Sequence, residues 1–303
     1  MFDPIADPDP LCDLAVQHGL EPPITLTGNS ELGLDFRVTF ARDTHGQSWV
    51  LRQPRHENMS EQIQAEARIL SFLKPHLPFA IPDWQKSSPA LVVYPLLPNV
   101  PAYTFDLENV AVKWAIDPGS PAFTHNLGQA LAALHAIPTA AAQAAGLKVY
   151  SPAESRQKAL DDFERVEQEL GMHPERSQVL QQWLHNDACW PDFCVVVHGD
   201  LHPGHILVNP QAEITGMIDW SETRVDDPAL DMISHLMLFR PEGLQQLVQA
   251  YEAAGGRTWP GLLEHTTGRQ AAIPLVYAMY ALKTQHPEQL AEAKAQLELP
   301  VYP

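Results

Sequence analysis

Two rhythms divide the chain. Up to about residue 95 the apolar positions alternate or run in short stretches. Leu34 to Phe40 and Ser48 to Leu51 flank Asp43-Thr44-His45-Gly46, which predicts a β-hairpin. One helical stripe follows, Ile63, Ala67, Leu70 and Leu73, and predicts a helix from about Ser60, as N-cap, to Lys74. Glu66 falls on that stripe, and a carboxylate facing a core needs a partner. Arg52, closing the strand Trp49-Val50-Leu51-Arg52, is the candidate, with Arg55 close enough to compete. The alternative is a glutamate at the edge of the stripe, reaching solvent. The run Leu91 to Leu97 ends among Pro95 and Pro98, residues that stop a strand and stiffen a link.

Beyond this link the period is helical. Residues 122–145, with Leu127, Leu131 and Leu134, and then 152–170 and 177–184, read as amphipathic helices. Asp226 to Met232 opens another, with Asp227 as N-cap and Pro228 in the first helical position. The chain through Tyr251, Trp259, Tyr277 and Tyr280 continues as helix, its aromatics in the core by default. Only the short apolar runs on either side of His198 to Asn209, and Ile214 to Ile218, break the helical rhythm. The expectation is an α+β protein in two parts: a small antiparallel sheet with one helix over 1–95, and a mainly helical part over 96–303.

Composition narrows the class. With 303 residues the chain is long enough for two lobes and a large core. Cys12, Cys189 and Cys194 have no paired-ligand spacing, and an odd count suits a reducing compartment. The acidic, proline-rich stretch 1–10 lacks the pattern of a secretory signal, and no apolar run approaches membrane-spanning length. A cytoplasmic protein with no membrane partner is expected. A formal net charge of −18 argues against nucleic acid as a partner. It leaves room for a cationic substrate, and serves solubility equally well.

The densest chemistry is His198-Gly199-Asp200-Leu201-His202-Pro203-Gly204-His205, followed by Asp219 at the end of Ile214 to Ile218. Phosphoryl transfer needs one carboxylate to orient the attacking hydroxyl and separate ligands for magnesium. Asp200 suits the first task, and His205 with Asp219 the second. A nitrogen ligand departs from magnesium's preference for oxygen. Two other readings stay open: an ordinary Gly-Asp turn, and a metal-dependent phosphoesterase, since Gly199-Asp200-Leu201-His202 is like the first metal block of that class. The further blocks such an enzyme needs are absent after residue 205. Gly28 to Gly33 has the composition to turn over a phosphate through its N–H groups, but lacks the Gly-Lys-Ser/Thr ending of a P-loop, and a plain turn explains it equally.

Taken together, the blocks Glu31 to Phe36, Trp49 to Arg52, His198 to His205, Gly216-Met217-Ile218-Asp219-Trp220-Ser221-Glu222 and Tyr251 to Arg257 resemble those of the macrolide 2′-phosphotransferases. These are one branch of the aminoglycoside-phosphotransferase-like kinases, and the likeness runs through nearly the whole chain. The resemblance implies a two-lobed, protein-kinase-like fold and a monomer. It implies transfer of the terminal phosphate of a purine nucleotide, GTP before ATP, with Mg2+, to the 2′-hydroxyl of a macrolide's amino sugar, as in antibiotic resistance. Asp200 would be the base, His205 and Asp219 the magnesium ligands, and Arg52 with Glu66 the phosphate-positioning pair. Gly33 would cover the phosphates, and backbone groups from Tyr94 to Leu96 would meet the purine edge. A macrolide needs an apolar wall and few acids, for which Met232, Trp259, Tyr277, Tyr280, Asp227 and Asp231 are the candidates. For Asp231 a brace of the catalytic loop is the other reading. An aminoglycoside or small-alcohol kinase would carry the same blocks, and His205 in place of the usual Asn with Arg52 in place of the usual Lys are the departures that would fit a silent nucleotide-binding relative.

Overall fold

A computed structural model describes residues 10–30, 35–56, 58–106 and 111–300. Gly33 and most of the block Glu31 to Phe36 lie outside the described residues. The N-terminal part comprises α1 (Pro10–Gln17), β1 (Thr25–Ser30), β2 (Phe36–Arg42), β3 (Ser48–Pro54), α2 (Ser60–Leu73), β4 (Lys86–Ser87) and β5 (Val92–Pro95). The strands form one antiparallel sheet in the order β1-β2-β3-β5-β4. Its β2–β3 hairpin closes where the turn residues stand, with Asp43 Oδ1 accepting the N–H groups of His45 and Gln47, both at 2.9 Å.

Successive strand residues point to opposite faces, and both faces are covered. Leu51, Leu91 and Val93 pack with Leu11 and Ala15 of α1, while Val50, Val92 and Tyr94 pack with Met59 and Ile63 at α2. Two details differ from the sequence reading. Helix α1 was not anticipated from the proline-rich lead, and Ser60 does not cap α2: Met59 holds the N-cap position with no side-chain hydrogen bond.

The rest of the chain is mostly helical. It runs through β6 (Val100–Pro101), β7 (Tyr103–Asp106), β8 (Ala111–Trp114), α3 (Pro121–His135), α4 (Thr139–Ala144), α5 (Pro152–Glu169), α6 (Pro174–His185) and β9 (Val195–Val197). It continues through β10 (Ile206–Val208), β11 (Ile214–Met217), β12 (Arg224–Asp226), α7 (Ile233–Ala253), α8 (Leu262–Ala271), α9 (Ile273–Thr284) and α10 (Pro287–Leu297). The single helix expected over 122–145 is two, because Pro138 cannot continue α3 and instead precedes α4. The β7–β8 hairpin, antiparallel with Tyr103 opposite Trp114, stands where helix was expected.

The main core joins α3 and α7 to the strands around the catalytic loop, with Phe123, Leu131, Met217, Trp220 and Tyr251 fully buried. Gly128 permits the α3–α7 approach, since a Cβ there would stand 2.7 Å from the Tyr251 backbone nitrogen. A second core ties α5 and α6 to α9 and α10. No helix among the described residues is long and apolar enough to cross a membrane.

Candidate active site

The loop after β9 turns at Gly199, whose φ of 87° lies in the left-handed region. A side chain there would also meet Arg224 Nη1 at 2.8 Å, so the position suits glycine twice over. The turn is held from below by Asp231, whose two carboxylate oxygens accept the N–H groups of His198 at 2.8 Å and Gly199 at 2.9 Å. His135 Nε2 lies 3.2 Å from the same carboxylate. Buried His198 spans the loop, its Nε2 donating to the Ile218 carbonyl at 3.0 Å. Burial depresses its pKa to about 4, which keeps the ring neutral.

Asp200, His205 and Asp219 meet above this base. A carbonyl only accepts, so His205 Nδ1, 2.9 Å from the Asp200 carbonyl oxygen, carries the proton, and Nε2 keeps its lone pair. That nitrogen lies 3.8 Å from Asp219 Oδ2. The two atoms are close enough to share a cation, and the hydrogen bond from Nδ1 to the Asp200 carbonyl is of the kind that orients a metal-binding histidine. Asp219 adopts φ 64°, a conformation aspartate tolerates better than most residues, and accepts a hydrogen bond from Ser221 at 3.0 Å. Burial would raise its pKa, but His205, Arg52 and Ser221 prevail and hold the carboxyl below the usual range. Asp200 goes the other way. Burial lifts it, helped by Asp219, Glu222 and Asp231 and opposed by His205. Its side chain is still 58% exposed, so a hydroxyl can reach it. His202 adds a nitrogen to this group, within 4.8 Å of ligand atoms on Asp200 and His205.

Arg52 and Glu66 form a buried ion pair at 2.8 Å, with the guanidinium 4.2 Å above the Phe36 ring. Arg52 rather than Arg55 is thus the partner of Glu66, and the glutamate does not reach solvent. Burial alone would lower the Arg52 pKa; Glu66, Tyr94 and Asp219 more than reverse it. Tyr94 is buried on the same side of β5, and its hydroxyl is pushed up to about 12, chiefly by burial. The Leu96 N–H donates to the Ser48 carbonyl at 2.9 Å, so this donor, expected to face a purine, is committed to the sheet. Pro95 has no N–H to offer.

Residues 30–265 match the model of the phosphotransferase enzyme family. The chain belongs to that family. Among solved structures it is similar to a macrolide 2′-phosphotransferase type I, at 45% identity over 96% of both chains with a TM-score of 0.88. It is also similar to the apoenzyme of macrolide 2′-phosphotransferase MphH from Brachybacterium faecium, at 40% identity over 97% of this chain and 98% of that one, TM-score 0.87. The uncharacterized protein YcbJ of Bacillus subtilis (strain 168) is 38% identical over 263 residues, 86% of each chain.

In this phosphotransferase the acids and apolar residues proposed from sequence for an acceptor do not line one surface. Asp227 and Met232 are fully buried and Asp231 nearly so. Asp227 caps the 3₁₀ turn Pro228–Met232 through the Ala229 N–H at 2.9 Å, and Arg269 Nε meets it at 2.8 Å. Asp231 holds the catalytic turn. Inward-facing groups with all their partners inside the protein cannot touch an acceptor, so these three are structural. Trp259 packs edge-on to Phe193 and donates to the Cys189 carbonyl. Tyr280 is exposed on α9 beside Tyr277.

Sequence reading missed the surface that does border the catalytic loop. Tyr103 of β7 stacks on His202, ring centroids 5.8 Å apart. Trp114 of β8 packs on Tyr103 and on Phe239 of α7. Phe105, Val112, Met237 and Leu238 are exposed on the same elements. The alternation of Tyr103 with Phe105 and Val112 with Trp114 was the available signal. A separate cavity of about 520 Å3 opens between α2, α5, α9 and residues 221–226. Asp200 does not line it, and five cations outnumber three acids around it.

Proposed function

We propose that this phosphotransferase moves the γ-phosphate of a purine nucleotide to the 2′-hydroxyl of a macrolide's amino sugar. The observation that carries the reading is the accessible Asp200 carboxylate on a loop packed against the half-buried aromatics Tyr103 and Trp114, whose hairpin and the neighbouring α7 also carry exposed Phe105, Val112, Met237 and Leu238. A macrolide pairs a large apolar ring with one ammonium, and that is the complement such a site offers. The names of the two relatives at 40 and 45% identity support the same acceptor.

Asp200 accepts the hydroxyl proton and orients the oxygen for in-line attack. His205 Nε2 and Asp219 would hold Mg2+, and the ion would supply neutralisation of phosphate charge. Arg52, held by Glu66, binds phosphate oxygens. Residues 1–95 and 96–303 form the two lobes on either side of the nucleotide, and the enzyme works as a cytoplasmic monomer. GTP is the donor implied by the resemblance.

The test is incubation of the protein with Mg2+, erythromycin and either GTP or ATP, read by mass spectrometry. One added phosphate is expected with GTP, falling at least roughly 100-fold in Asp200→Asn, the scale of a lost general base. Phosphorylation of kanamycin but not of erythromycin would overturn the acceptor, and equal turnover by the Asn variant would overturn the role of Asp200.

A further inference from the structure

The ring of His202 caps the turn Pro203–His205, with Nδ1 accepting the Gly204 N–H at 3.0 Å. The fit is close, since a Cβ on Gly204 would stand 2.7 Å from Cε1 and 2.9 Å from Nδ1 of that ring. A backbone N–H only donates, so Nδ1 holds a lone pair and the neutral ring carries its proton on Nε2. Capping alone does not call for histidine, because asparagine and aspartate are the stronger caps. What histidine adds is an N–H donor on the far side of a rigid ring. Tyr103 stacks on that ring with an interplanar angle of 12°, and the His205 ring centroid lies 3.8 Å away. Metal ligation through Nε2 would require a proton on Nδ1, facing the Gly204 N–H, so His202 is unsuited to be a third ligand. An N–H is equally unsuited to an ammonium. It fits an anionic oxygen.

We propose that His202 is a catalytic donor whose Nε2–H hydrogen-bonds an oxygen of the phosphoryl group in transit from the nucleotide to the acceptor. This rests on the reading of Asp200, His205 and Asp219 given above. The acceptor O–P bond forms as the P–O bond to the nucleoside diphosphate breaks, and the electron pair of that bond leaves on the diphosphate. The hydroxyl proton passes to Asp200, and His202 keeps its own. A fixed neutral donor gains strength as charge spreads over the phosphoryl oxygens, and it needs no reorganisation.

Two substitutions separate the duties of the ring. Asparagine places its carbonyl oxygen where Nδ1 stands and keeps the cap; glutamine reaches the Nε2 position with an N–H. His202→Asn should melt at the wild-type temperature, leave the KM for nucleotide unchanged and lose roughly 100-fold in kcat. His202→Gln should recover part of that loss despite the poorer cap. A readout free of turnover is the binding of GDP with aluminium fluoride and Mg2+, a planar mimic of the phosphoryl group. His202→Asn should bind it more weakly and bind GDP alone as well as wild type does. Wild-type kcat in the Asn variant, or equal affinity for the mimic, reduces His202 to a cap. Wild type active beside inactive Asp200→Asn keeps the underlying reading intact. If wild type transfers no phosphate, that reading fails on its own, and the aluminium fluoride measurement still decides for His202.

Discussion

Glu66 and Asp227 are buried carboxylates that each face an arginine, one in each half of the chain, yet they are held in opposite ways. Asp227 is satisfied on both oxygens. Ala229 donates to Oδ1, while Arg269 at 2.8 Å and His265 both meet Oδ2. The His265 ring is fixed in turn by Trp183 Nε1 at 3.0 Å, and Arg269 reaches Ser155 at 2.9 Å. Burial opposes the charge on Asp227, but His265 and Arg269 prevail and hold its carboxyl far below the usual range. Glu66 has one bond, to Arg52, and its Oε2 is buried without a hydrogen-bond partner among the described residues. There burial outweighs Arg52 and raises the pKa. A guanidinium keeps its charge in either setting, so the strain of an incomplete site falls on the carboxylate. The closed network fixes a turn; the open pair leaves one carboxylate oxygen without a bond beside Arg52.

The contrast can be broken by mutation. Asp227→Ala leaves the half-buried Arg269 guanidinium without its counter-charge and the buried His265 Nε2–H without an acceptor, and should destabilise the fold by about 3–5 kcal/mol, read as a fall in melting temperature and soluble yield. A small change would show that the network is dispensable. Glu66→Gln still offers Arg52 an acceptor, so its melting temperature should hold while turnover falls roughly ten- to a hundredfold through a misplaced Arg52. Loss of stability without loss of turnover would make Glu66 the structural member of the two.

The subtlest difference is in the sign of the pH dependence. The folded pKa of Asp227 is depressed, so its contribution is present above the ordinary 3.8 and is lost as pH falls through the lower folded value. That of Glu66 is raised, so its contribution is present below the ordinary 4.5 and is lost as pH rises through the higher folded value. Melting curves from pH 3 to 7 should therefore show Glu66→Gln flattening the slope above about 4.5. An unchanged slope would mean that Glu66 ionises as freely inside the protein as outside.

How much of this was legible depended on the range over which each residue finds its partners. That Asp200, His205 and Asp219 would come together could be read because the strands and the turn that carry them lie within one short stretch. The pairing of Arg52 with Glu66 was inferable from a charged residue on an apolar helical stripe. The capping duty of Asp227 was visible in the adjacent Pro228, but its bonds to His265 and Arg269 depend on α8, which periodicity does not dock. Asp231 could be read two ways because only the folded loop shows its oxygens under His198 and Gly199. The β7–β8 hairpin was missed because its short alternation stands between longer helical patterns, and with it went the surface that borders Asp200.

The loop between α2 and β4 carries one further connection. Ala80 donates to the Thr215 carbonyl and accepts the Met217 N–H, both at 2.9 Å, and Gly216 lies close enough that a Cβ would stand 2.9 Å from the Ala80 carbonyl oxygen. The sheet half is thus fastened to the helical half here as well as by the chain itself, where it passes from β5 to β6. Two bodies pinned at two separate points keep one easy rotation, about the line joining the pins. A door on two hinges swings but neither slides nor twists, and a joint of this kind would bring Arg52 back to the same place beside Asp219 after any such swing.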